Sequence, residues 1–311
     1  MNVRWVDAVG ERSAARHERW KRGVGDPIVS NFAPSPPASI DDVLIVSWNV
    51  HVGSGDVHVF LDHLRAGKLT GGKRPGHFVM LVQETFRSGG SVPDPMPSDA
   101  IGARAIRIPD SKGERHDAAS IARDAGLFVA YAPSMRNGTL KNPGTGLCED
   151  RGNAIFSTLP LEDITAVELP MLNQRRVAVL GHVRGVTSGG AGIDLQVGSV
   201  HFDLKATPWG RSAQARAIAK VADCPGSIIA GDLNVLPFFE STVSIMSAAF
   251  PQSKLHDRSA THRAPINRRI DFQFCRLNDG WHSMPYVRVP DLYNSDHYPL
   301  IGSVHFSAVA G

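Results

Sequence analysis

Apolar residues in this chain gather into short runs, and several of these runs end on a polar residue of catalytic type. Residues 43–50 are almost wholly apolar and close on Asn49; residues 76–85 repeat the arrangement and close on Gln83 and Glu84. Unbroken apolar runs of this length predict strands buried on both faces. The same reading predicts strands at 128–131, 151–157, 164–169, 177–183, 193–200, 227–231 and 300–306. Ser188, Gly189, Gly190 and Gly192 supply a hairpin turn between the strands at 177–183 and 193–200. Helical spacing or composition predicts helices at 7–22, 56–64, 116–124 and 211–221. Residues 87–111 and 137–146 carry no periodicity and read as long loops, which are uncommon unless they serve a function.

Residues 32–39 (Phe-Ala-Pro-Ser-Pro-Pro-Ala-Ser) cannot continue a helix and read as an extended linker. Residues 1–39 are therefore expected to form a solvated, dispensable arm and linker, with one domain spanning 40–311. So many strands among few helices predict an α/β fold. Two packed, mostly antiparallel sheets would be flanked by helices, with a site at one edge of the sandwich.

Composition narrows little. The chain has 311 residues, 42% of them hydrophobic and 20% charged, as in an ordinary globular protein. A formal net charge of +3 neither marks a nucleic-acid binder nor excludes one. Three widely spaced cysteines give neither a disulfide framework nor a zinc spacing. No apolar run has the length of a membrane span, and the first twenty residues lack the apolar core of a signal peptide, so a cytoplasmic monomer is expected.

The candidate chemistry sits at the ends of the apolar runs. In 227–234 a buried strand ends in Gly231, followed by Asp232 and Asn234. Period-two spacing puts that carboxylate and carboxamide on one side of an extended chain, where they suit orienting a water beside a phosphate or a metal. His201 closes another run. Near the C-terminus Asp271 lies on an apolar strand, and Ser295-Asp296-His297 lies on a polar loop just before the last strand. Adjacent carboxylates and imidazoles at such junctions can enter one pocket.

Taken in order, Trp48-Asn49, Gln83-Glu84, residues 152–157, Ser199-Val200-His201, residues 231–234, Arg269-Ile270-Asp271 and Ser295-Asp296-His297 resemble the endonuclease/exonuclease/phosphatase superfamily. That group includes pancreatic-type deoxyribonucleases, abasic-site endonucleases, bacterial sphingomyelinases and inositol polyphosphate 5-phosphatases. The resemblance runs from residue 43 to residue 306. It implies a four-layer α/β sandwich and divalent-metal-dependent cleavage of phosphoester, above all phosphodiester, bonds. It makes Glu84 the principal ligand of Mg2+, or of Mn2+ or another divalent ion in its place, with Asn49 beside it and Asp296 tied to the metal site. Asp232 resembles the water-orienting carboxylate, Asn234 the positioner of phosphate or nucleophile, and His297 the histidine that donates to phosphate, with Asp271 orienting it. His201 resembles a second histidine found in the deoxyribonuclease and sphingomyelinase branches, its acidic partner left between Glu149 and Asp150. Asn153 and Arg175, or Arg176 in its place, are expected to contact substrate. That substrate is a phosphate ester, with nucleic acid as an alternative; an inactive binding module on the same fold is the remaining alternative.

Overall fold

The central strands alternate apolar side chains between two different layers. The structure is a computed structural model and describes residues 2–97, 114–137, 148–236, 240–252, 259–263 and 267–306. In β3 (Asp42–Asn49) and β4 (Phe78–Ser88), Val43, Ile45, Val79 and Leu81 face one core, while Val46, Trp48, Met80 and Val82 face another. Both faces are therefore covered, as the unbroken apolar runs require. The first core joins two sheets. The second packs against α2 (Val57–Arg65) and α3 (Ala118–Ala125), capped by the side chains of Asp56 and Asp117. A third core, with Ala178, Leu180, Val200 and Ile229, lies under α4 (Pro208–Val221) and α5 (Thr242–Ala249). The order helix, sheet, sheet, helix is the four-layer sandwich expected.

The seven-stranded sheet runs β12 (Trp281–Arg288), β13 (Leu300–Phe306), β3, β4, β6 (Glu149–Ser157), β5 (Phe128–Arg136) and β2 (Ile28–Asn31). The six-stranded sheet runs β1 (Arg4–Asp7), β7 (Glu162–Glu168), β8 (Val177–Val186), β9 (Gly192–His201), β10 (Ser227–Asp232) and β11 (Asp271–Arg276). Among the described strands, β1 with β7, β9 with β10, and β3 with β4 pair in parallel. The last two parallel pairs put the C-terminal ends of β3, β4, β9 and β10 at one edge, and β11 begins there. Gly231 is required at that edge: a Cβ would fall 1.9 Å from the carbonyl oxygen of Val200.

The solvated-arm reading of residues 1–39 is corrected by the structure. β1 and β2 extend both sheets, and α1 (Ala14–Lys21) buries Trp20 against Met135 and Met171. These strands are four residues long and lie at sheet edges without alternation, so no apolar period marks them. β12 and α5 went unread for related reasons: β12 has a single buried residue and α5 is short. Of the loop read at 87–111, Arg87 and Ser88 belong to β4, and 98–111 lie outside the described residues, as do 138–146 of the second loop. Among the described residues no helix is long and apolar enough to cross a membrane.

Candidate active site

Asp232 links the two sheets at their shared edge. Strand register places it level with His201 on β9 and with Asp271 on β11. Its Oδ1 accepts from the Asn234 backbone N–H at 2.8 Å. Its Oδ2 accepts from the side-chain amides of Asn234 and, across the gap between sheets, Asn49, both at 3.2 Å. His201 Nε2 stands 3.5 Å and His297 Nε2 3.9 Å from the same oxygen. Burial, then the neighbouring charge of Asp271, pushes the Asp232 carboxyl up to about 7. Asn234 holds φ at +50° and spends its amide hydrogens on Asp232 and the carbonyl of Phe202. It therefore orients the carboxylate, and only its oxygen remains to face a ligand.

His297 is fixed on three sides. Its Nδ1–H donates to Asp271 Oδ2 at 2.9 Å, its N–H donates to Ser295 Oγ, and its carbonyl accepts from Trp48 Nε1. Ser295 Oγ in turn donates to the carbonyl of Asn49 at 2.7 Å, which ties the loop to β3. Burial would lower the imidazole pKa. The charge and hydrogen bond of Asp271 outweigh it, with Asp232 and Asp296 adding, and raise His297 to about 10. Asp296 is half-exposed and is held down at about 2, where the imidazoles of His262, His297 and His51 overcome its burial.

Glu84 sits at a register shift in β4, between Val82 and Thr85, with φ at +54°. A non-glycine residue strained in this way is typical of functional positions. Its Oε2 lies 3.3 Å from Arg151 Nη1, and its Oε1 is 3.9 Å from His201 Nε2, beyond hydrogen-bond length. That oxygen is open to a cation. A carboxylate and the carboxamide of Asn49 are hard oxygen donors of the kind Mg2+ takes, so the residues present fit such an ion. Asp232, Asp271 and His297 form one group able to hold a metal, and His262, Asp296 and His297 another.

Two expectations do not survive the geometry. Arg175 is 1% exposed and bound to Glu168, with Nη1 donating to the carbonyls of Pro133 and Ser134. It ties β7 of the six-stranded sheet to β5 of the seven-stranded one, and its Nε and both Nη groups are spent there. Neither proposed acidic partner reaches His201: Glu149 pairs with Arg115, and Asp150 with Arg87 and Tyr131. Asn153 is buried between the sheets and donates to the carbonyls of Val177 and Ser199, so its amide hydrogens are committed to structure.

Sequence reasoning missed Arg151 and His262 here, and held Arg176 only as the alternative to Arg175. Arg176 Nη1 lies 3.1 Å from His201 Nδ1, Arg151 pairs with Glu84, and His262 flanks Asp296. Both arginines are buried, and Nε and Nη2 of Arg151 and Nε of Arg176 lack a partner. Burial lowers the pKa of each, with Glu84 opposing the effect at Arg151 and Asp203 at Arg176. Burial, then Arg176, also drives His201 well below the ordinary histidine value.

No protein-family model matches the sequence, and no curated protein does. Solved structures do match. An endonuclease/exonuclease/phosphatase from Beutenbergia cavernae superposes with a TM-score of 0.56 at 17% identity, covering 86% of this chain and 72% of that one. The human nocturnin catalytic domain, solved with a bound sulfate anion, gives 0.52 at 13% identity over 93% and 99%. A functionally unknown conserved protein from Enterococcus faecalis gives 0.52 at 13% over 85% and 100%. At these identities the likeness is one of fold: the chain has the endonuclease/exonuclease/phosphatase fold.

Proposed function

We propose that this protein is a Mg2+-dependent phosphoesterase that cleaves phosphodiester bonds by in-line attack of water, working as a monomer. The observation that carries the reading is the convergence on Asp232 of Asn49, Asn234, His201 and His297, drawn from four separated stretches of chain. Such a gathering of titratable groups at one sheet edge is costly for stability and is the usual mark of a site.

Glu84 and Asn49 would hold the ion, with Asp296 near the same opening; when bound, it neutralises charge on a phosphate oxygen. Asp232 orients the attacking water and accepts its proton, a task suited to a carboxyl that titrates near neutrality. Asn234 and Asn49 fix the rotation of that carboxylate. His297, protonated and aligned by Asp271, donates from Nε2 to a phosphate oxygen as charge develops. His201 donates from Nε2 as a neutral imidazole, because Arg176 can only donate to its Nδ1. The unpartnered N–H groups of Arg151 and Arg176 favour an anionic substrate.

A net charge of +3 supports a small-molecule or headgroup phosphodiester over a polynucleotide, whose binding relies on many basic contacts. The test is cleavage of plasmid DNA, RNA, sphingomyelin, inositol phosphates and a chromogenic phosphodiester, each with Mg2+ and with chelator. Cleavage of one class only with the metal supports the reading. No metal-dependent cleavage of any of them would leave an inactive binding module.

A further inference from the structure

We propose a second cation site, built from His262, Asp296 and His297, that takes a divalent transition metal of the zinc class rather than Mg2+. Asp296 stands among imidazoles. His262 Nε2 is 3.5 Å from its Oδ2, and His297 Nε2 is 3.8 Å from its Oδ1. These separations exceed hydrogen-bond length. They approach the ~3.3 Å between neighbouring ligands of a tetrahedral ion whose bonds are ~2.0–2.1 Å. One ligand atom from each of the three residues lies within 4.8 Å of the others. Asp296 Oδ1 is buried and accepts no hydrogen bond, so this carboxylate has an unsatisfied oxygen facing the gap.

The backbone holds the three ligands ready. Residues 261–263 run antiparallel to 296–298, with Arg263 N–H donating to the Asp296 carbonyl and Tyr298 N–H to the Thr261 carbonyl. His262 is thereby set opposite His297, their rings 4.6 Å apart. The other nitrogen of His297 donates to Asp271, the carboxylate–histidine pairing that commonly backs a metal-bound imidazole. The carboxylates that favour a proton on His297 favour a dication in its place; the two are alternative states of Nε2, so an ion bound here displaces the proton that His297 would otherwise donate to phosphate. Two imidazoles and one carboxylate leave an open position, as in His2Glu zinc sites, beside a cavity of about 700 Å3 lined by His51 and Asp296. Imidazole ligands select this softer ion, whereas Glu84 and Asn49 offer only oxygen.

Co2+ serves as a coloured stand-in for zinc. Chelator-treated protein would be titrated with Co2+ in excess Mg2+, which fills the oxygen site, and the visible d–d bands followed. Wild type and Glu84→Gln should both bind one Co2+ per chain with strong tetrahedral-type bands. His262→Gln, checked by thermal melting for folding, should lose the bands and bind at least tenfold more weakly. Crystals of the wild type soaked in Co2+ and Mg2+ should show anomalous scattering between His262, Asp296 and His297. Bands that persist in folded His262→Gln, a wild type without them, or an anomalous peak elsewhere would overturn the site. None of these readouts depends on catalytic activity.

Discussion

Arg176 Nη1 lies 3.1 Å from Nδ1 of His201, and both side chains are buried. A guanidinium has donors only, so Nδ1 must carry the lone pair and His201 must be the neutral Nε2–H tautomer. The carboxylates of Asp232 and Glu84 accordingly lie on the Nε2 side of the ring, and the guanidinium lies at Nδ1. His201 can donate a hydrogen bond to a phosphate oxygen but carries no proton to give away.

That tautomer is directly observable. In 15N-labelled protein, His201 Nδ1 should show an imine-type shift that stays unchanged from pH 6 to pH 8. An imidazolium signature in that range would contradict the assignment.

Glu84→Gln should weaken Mg2+ binding by about tenfold or more, since a ligand should matter at least as much as the outer-shell groups whose loss costs 10–100-fold. Calorimetry and the Mg2+ dependence of turnover measure it. Unchanged turnover at limiting Mg2+ would remove Glu84 from the metal site.

The N-terminal segment should be needed for folding. Removing residues 2–39 strips an edge strand from each sheet and uncovers Met135 and Met171. Trp20→Ala alone should cost about 3–5 kcal/mol, as for other large buried aromatics. Denaturant melts provide the number, and a soluble, cooperatively melting chain that starts at residue 40 would refute the claim.

Glu168 links that segment to the sheet, with His17 Nε2 2.8 Å from its Oε2 and Arg175 on its other side. Burial would raise its pKa, but the close contacts with His17 and Arg175 prevail and lower it. A carboxyl depressed in the folded state stabilises above its unfolded value, and that contribution fades as pH falls through the folded value. Glu168→Gln should therefore flatten the acid limb of the stability curve. It should also cost about 3–5 kcal/mol at neutral pH, because Arg175 loses its buried counter-charge. Melts of both proteins from pH 3 to pH 7 test this.

Much of the candidate site was legible because Asn49, Glu84, His201 and Asp232 close apolar runs, Asp271 opens one and His297 just precedes one, where local pattern is strongest; the structure brings these six residues together. What pattern could not resolve was partnership across the fold. Arg175 and Arg176 are adjacent at the entrance to β8, and only Arg176 reaches His201. Nothing local to the pair says which, since Glu168 claims Arg175 through a contact set by strand pairing. His262 lies in a stretch with no apolar periodicity, and its place beside Asp296 depends on pairing with residues 296–298. β1 and β2 were hidden for the same reason: their partners, not their composition, make them strands.

The account rests on His297 as the donor to phosphate, aligned by Asp271. The most direct test is the single-turnover rate of phosphodiester cleavage in Mg2+ for wild type, His297→Ala, Asp271→Asn and the double variant, with melts confirming the fold of each. His297→Ala should be slower by about a hundredfold or more, on the order of 3 kcal/mol. Asp271→Asn should lose less, and the double variant less than the sum. A near-wild-type rate in folded His297→Ala, or full additivity in the double variant, would contradict it.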